Sequence, residues 1–162
     1  MINFMRKTIL GLVLLVVAQG ISASDMLMAR VTMKADLAIE YLKTSLEEHG
    51  YSIAHIQLCD GGMEEFGYKS DFYRVIFFGK GEEVRRISKT HPEMAAFMPL
   101  KVAVIAEKKE TLLTIVNPMT LAAYFPNNEM QMQFSRWFND IQSIFDDMHK
   151  AAGQEVAVHF HQ

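Results

Sequence analysis

The stretch IQLCDGGMEEFGY, residues 56–68, holds the single cysteine of the chain. Cys59 is followed by Asp60, Gly61 and Gly62, and glycines allow backbone amides to come close to a sulfur. Such amides, or a nearby cation, are what lower a thiol from its ordinary pKa of about 8.5. The acidic neighbours Asp60, Glu64 and Glu65 act in the other direction. His55 lies four residues back on the same face of a predicted strand, about 13 Å away at about 3.3 Å per residue. Cys59 with Asp60 is therefore a candidate thiol site with several readings: a packed side chain, a reactive or sulfur-carrying thiol, a metal ligand, or half of an intermolecular disulfide.

The second chemically loaded stretch is HFH near the end of the chain, where His159 and His161 would share one face of an extended segment. That spacing is compatible with zinc or copper, although two ligands do not close a site. A third would have to come from His149 or Cys59. The expectation is a tail without metal that either pairs as an edge strand through Val156, Val158 and Phe160, with both imidazoles in solvent, or lies free. The methionines fall mostly on predicted core stripes and read as packing atoms. Gly-x-Ser-x-Gly, a Walker loop, a dinucleotide fingerprint and Cys-x-x-Cys are all absent from the sequence. No catalytic residue is assigned, no cofactor is expected, and an enzyme is the less favoured class.

The elements that must position these groups follow from periodicity. Residues 26–33 read as a strand, and a helix then starts with Asp36 as cap, carries Leu37, Tyr41, Leu42 and Leu46 on one side, and ends at Gly50. Residues 51–58 form the next strand, and residues 71–78 a third whose aromatic and β-branched density suits a central place in a sheet. Glu82 and Glu83 before Arg85, Arg86 and Lys89 order the charges as a short helix prefers. Residues 100–116 read as a hairpin turning at residues 108–110, with Leu100, Val102 and Val104 matched to Leu112, Thr114 and Val116. A last helix, with Asn128 and Gln131 as its capping box, carries Met130, Phe134, Trp137, Ile141, Phe145 and Met148 as an apolar stripe. Gln133, Arg136, Asp140, Ser143 and Asp147 form its polar face, and Gly153 ends it.

Residues 1–24 have the pattern of a secretory signal peptide: Arg6 and Lys7, an apolar run over residues 9–18, then Ser22, Ala23 and Ser24. The mature protein is expected to be periplasmic or secreted, with no membrane attachment after cleavage. The 162-residue chain has a net charge of −3, its basic residues are scattered, and nucleic acid is excluded as an expected partner.

DLAIEYLKTSLEEHGYSI, YRVIFFGKG, MPLKVAVIAE and IVNP, in this order of elements, resemble the bacterial family called domain of unknown function 302. The resemblance covers residues 26–126. It rests on the Gly50 turn, Phe78 with Gly79, Pro99 with Leu100, and Asn117 with Pro118. It implies an α+β fold in which a curved antiparallel sheet carries its helices on one face, the helix-grip architecture of the TATA-binding-protein class. The leader resembles an exported subgroup associated with sulfur metabolism. The division that follows is a signal peptide at 1–24, the α+β domain at 25–126, and a C-terminal amphipathic helix and tail at 127–162 packed on the same domain.

Three functions are then expected to compete. One is a binding or accessory module that holds a small apolar or thiol-bearing ligand between sheet and long helix, near His55, Trp137 and Phe138. Another is sulfur-carrier or redox chemistry at Cys59. The third is a homodimeric interaction module, in which a second subunit covers Phe125, Trp137 and Phe138.

Overall fold

The computed structural model describes residues 25–59, 67 and 72–159, with side chains up to residue 153. Its strands are β1 (Met26–Val31), β2 (Ser52–Leu58), β3 (Tyr73–Gly79), β4 (Leu100–Glu107) and β5 (Glu110–Val116), and its helices are α1 (Ala35–Glu48), α2 (Gly81–Thr90) and α3 (Asn128–His159). Two 3-10 turns, Pro92–Ala96 and Pro118–Ala123, lead into β4 and α3. The strands form one curved, open antiparallel sheet in the order β1-β5-β4-β3-β2.

The core lies on one face of that sheet. Leu27, Ala29 and Val31 of β1, Leu113 and Ile115 of β5, Val102 and Val104 of β4, and Ile76 and Phe78 of β3 are buried there against Leu42 and Leu46 of α1 and the predicted stripe of α3. Every member of that stripe, from Met130 to Met148, is buried. Ile87 of α2 joins the same cluster. A Cβ at Gly79 would stand 3.0 Å from Val84 Cγ2, so glycine is what lets α2 close against the end of β3.

Local chemistry sets the element ends. Gly50 has φ +78°, its amide donates to Glu47 and that of Tyr51 to Leu46, each at 2.9 Å. That is a Schellman stop, which needs a left-handed residue at that point. The cap of α1 is not Asp36: Lys34 holds that position, and Asp36 sits inside the first turn, where its charge suits the helix dipole. The cap of α3 also differs, standing one residue earlier than expected, because Asn127 Oδ1 accepts from the Met130 amide at 2.9 Å. Gln131 donates back to the carbonyls of Ala122 and Phe125.

Two expectations fail. Glu107 stands opposite Glu110 and Val104 opposite Leu113, so the turn is Lys108 and Lys109, and the core face of β5 is Thr111, Leu113 and Ile115. Leu112, Thr114 and Val116 lie on the other side, because a one-residue slip exchanges the faces of a strand. Gly153 does not end α3, whose backbone continues to His159. Its φ is not positive, and an interior glycine costs a helix only about 1 kcal/mol. The extended segment expected over 155–160 is therefore not formed as far as His159. The leader, Asp60 and His161 lie outside the described residues.

Candidate functional site

Helix α3 organises most of the buried polar chemistry. Tyr51, 2 % exposed, donates its phenol to Asp140 Oδ2 at 2.7 Å, and Lys80 Nζ donates to the same oxygen at 2.9 Å. The Lys80 ammonium also lies 4.5 Å from the centroid of the Tyr51 ring. Burial pushes the Tyr51 phenol above its ordinary value, and the adjacent Asp140 carboxylate adds to this. Such a phenol is a hydrogen-bond donor and not a base.

One turn toward the start of α3, Glu83 accepts from Trp137 Nε1 at 3.0 Å and from Gln133 Nε2 at 3.1 Å. Gln133 Oε1 accepts from Arg86 at 2.9 Å and from Arg136, and Arg86 pairs in turn with Glu129. Gln133 was expected on the polar face and is instead fully buried. The arms of the two arginines fold over it, and its amide satisfies both them and Glu83.

A third group gathers on Asp147. Its Oδ2 accepts from Ser45 Oγ at 3.2 Å and lies 3.0 Å from His49 Nε2, while Oδ1 takes Lys150 Nζ at 3.0 Å. The His49 hydrogen bond, followed by that of Lys150, holds the carboxyl below its usual range. Ser, His and Asp occur together here but in the wrong order for nucleophilic catalysis. Serine and histidine both bind the carboxylate, so no base is directed at the hydroxyl. A surface depression of ≈ 350 Å³ between α1 and α3 opens beside this group, lined by Tyr41, Glu48 and Met148 among others.

Little open space lies where the ligand cleft was expected. Among the described residues, a space of ≈ 10 Å³ lies between sheet, α1 and α3, walled by Leu42, Phe78, Val102, Ile141 and Phe145 among others, and a water needs about 10–15 Å³. The three residues assigned to it do not meet. Trp137 is in the core with its indole N–H on Glu83, Phe138 packs partly buried beside that core, and His55 is on the opposite face of the sheet near Phe77. Phe125 and Trp137 are covered by their own chain, at 7 % and 3 % exposure, so they offer nothing to a second subunit.

Among the described residues no helix packs on that opposite face, and much of it is apolar. Antiparallel partners place Met28, Thr114, Ala103, Val75 and Gln57 in one row across all five strands, with Arg30, Leu112, Ile105 and Tyr73 in the next. Phe77 lies between Lys101 and His55 in a third. Met28 and Val116 are 56 % and 52 % exposed, and Val75, Phe77, Ala103, Ile105 and Leu112 between them are half-buried. Thr114 Oγ1 is screened from water and has no hydrogen-bond partner among the described residues.

Cys59 extends the second row. Its amide donates to the Tyr73 carbonyl at 3.1 Å, and its half-buried thiol lies 3.8 Å from the Gln57 carbonyl. His55, Gln57 and Cys59 thus share the uncovered face of an edge strand, with His55 hydrogen-bonded to Gln57 at 3.3 Å. Among the described residues, no group of three His, Cys, Asp or Glu could hold a metal ion, and no helix is long and apolar enough to cross a membrane.

An α+β domain built as one antiparallel sheet with helices on a single face is the class this architecture defines. The chain belongs to the family described as Domain of unknown function DUF302, whose pattern matches residues 29–148. The match runs well past residue 126, so α3 as far as Met148 is part of the family pattern and not an addition to it. A crystal structure of an uncharacterized conserved DUF302 protein from Bacillus stearothermophilus is similar, with TM-score 0.69 and 16 % identity over 78 % of this chain and 99 % of that one. No curated protein matches the chain.

Proposed function

We propose that this is an exported accessory protein that acts through a protein contact made by the uncovered face of its sheet. The carrying observation is the run of apolar side chains, Met28, Ala103, Val75, Leu112, Ile105 and Tyr73, in two adjacent rows across the sheet. An antiparallel sheet with one solvated face normally alternates apolar and polar side chains. Here Val75, Phe77, Ile105, Leu112 and Val116 occupy the outward positions, and contiguous exposed apolar surface of this kind is characteristic of interaction sites. The leader pattern of residues 1–24 supports export.

Hydroxyl-radical footprinting of the full protein in its native extract tests the contact. Met28, Tyr73 and Phe77 are expected to be protected relative to the same protein purified and diluted. Equal labelling in both states would remove the reading. The mass of the mature N-terminus tests export, expected to begin at Asp25 or Ser24.

A second reading, thiol chemistry at Cys59, is favoured by the partial exposure of its sulfur at the edge of the same face. Mass spectrometry before and after treatment with a persulfide donor or an alkylating reagent decides it. Retention of an unmodified Cys59 under native conditions would end it.

A further inference from the structure

Independently of the contact proposed above, and for the chain whose sheet face is free, we infer that Met28 is a site of oxidation by hydrogen peroxide and that the oxygen it gains is held by the hydroxyl of Thr114. Met28 and Met132 are the most exposed methionines among the described residues, each more than half open to solvent, whereas Met33, Met94, Met130 and Met148 are buried. Exposure alone would make Met28 and Met132 equivalent, but Met28 has a donor beside it. It stands directly opposite Thr114 of β5, and side chains paired in this way on one sheet face have Cβ atoms about 4.5–5.5 Å apart. The sulfur lies two bonds beyond that carbon on an unbranched chain, so an oxygen bound to it can reach the hydroxyl.

Thr114 Oγ1 is screened from water and has no hydrogen-bond partner among the described residues. Its remaining neighbours on this face offer no side-chain acceptor. Ala103 stands across from it on β4, and Leu112 and Val116 lie two residues away on β5. Arg30 and Lys101, at diagonal positions, carry donors and no acceptor. The Met28 thioether is itself a weak acceptor, and oxidation turns it into a polar group with an exposed oxygen. In that step a sulfur lone pair attacks one peroxide oxygen, and the S–O bond forms as the O–O bond breaks. The departing hydroxide takes the proton of the transferred oxygen and leaves as water, so sulfur loses two electrons and the peroxide gains them. The sulfoxide then supplies the acceptor that Thr114 lacks.

Peptide mapping of the full native chain after graded hydrogen peroxide treatment tests the site. Met28 is expected to gain one oxygen at least about tenfold faster than Met33, Met94, Met130 and Met148, which meet solvent only when the structure opens locally. Equal rates would overturn the site. Urea unfolding tests the partner, in a Met132→Leu background that removes the other exposed thioether. Oxidation is expected to leave the midpoint unchanged or higher when residue 114 is Thr or the variant is Thr114→Ser. In Thr114→Val the midpoint after oxidation is expected to fall by about 0.5 M relative to those two, the shift that one hydrogen bond gives in a small domain. Met28→Leu is expected to abolish this dependence on residue 114. Equal shifts with Thr114 and with Thr114→Val would overturn the hydroxyl as partner, and a dependence that survives Met28→Leu would overturn Met28 as the carrier of the oxygen.

Discussion

The phenol of Tyr51 donates to Asp140 Oδ2 at 2.7 Å across 89 residues of sequence. It connects the residue after the α1 stop to the middle of α3, at the place where Lys80 also enters. Tyr51→Phe removes one hydrogen bond to a charged acceptor and is expected to lower stability by about 1.5–3 kcal/mol. Asp140→Ala should cost more, because it leaves both a buried hydroxyl and a partly buried ammonium without their acceptor. Guanidinium unfolding of the two variants measures the order, and a Tyr51→Phe protein as stable as wild type would show the bond to be idle.

Gln133 is a buried amide with all its groups engaged, donating to Glu83 and accepting from Arg86 and Arg136. Gln133→Leu keeps the volume and removes the acceptor. A loss of about 1–3 kcal/mol is expected, since Glu83 and the arginines lose a desolvated partner. Thermal unfolding should show it as a lower midpoint with the helical signal retained.

Asp147 sets an acid limit on the α1–α3 contact. Its carboxyl is held below the ordinary value chiefly by His49, with Lys150 and Ser45 contributing. A lowered folded-state pKa means that the stabilisation is complete above the unfolded value of about 3.9 and is lost as pH falls through the lower folded value. The difference in urea midpoint between wild type and Asp147→Asn is therefore expected to close as the pH falls below about 4. A gap that widens with acid would reverse the sign.

Thr114 offers the opposite case. Its hydroxyl is screened from water and has no partner among the described residues, so Thr114→Val is expected to leave stability unchanged or raise it by about 1 kcal/mol. A drop of that size in denaturant titration would mean that the hydroxyl acquires a partner in the assembled protein.

Much of the chain was legible in order along the sequence. The three-and-four spacing of Met130, Phe134, Trp137, Ile141, Phe145 and Met148 specifies one buried stripe without reference to anything else, and all six are buried. Gly50 announces a left-handed stop, and its φ is +78°. These are local signals, read within a turn or two of helix. The hairpin was misread because Leu112, Thr114 and Val116 suit a buried face about as well as Thr111, Leu113 and Ile115 do. That ambiguity has a physical origin, since both faces of β5 carry apolar side chains and only the two-residue turn closed by Glu107 and Glu110 selects between them.

The candidate sites were less legible. Cys59 and His55 could be placed on one strand face from alternation, but nothing local tells whether that face meets helices or solvent. Trp137 and Phe138 are neighbours in sequence, and whether they wall a cleft or fill a core depends on how closely α3 approaches the sheet. Gln133 reads as a surface residue until Arg86, Arg136 and Glu83, drawn from two separate helices, converge on it.

By itself, then, the sequence determined the order of the strands and helices up to α3, the stop at Gly50, the stripe of α3 and the family pattern, because backbone conformation and amphipathic period are encoded over a few adjacent residues. Only the tertiary structure decided the register of β4 on β5, the close approach of α3 to the sheet, the union of Tyr51, Lys80 and Asp140, and the sheet face on which no helix packs among the described residues. Each of these depends on contacts between segments far apart in the chain, and the free energy of such contacts has no counterpart in local spacing.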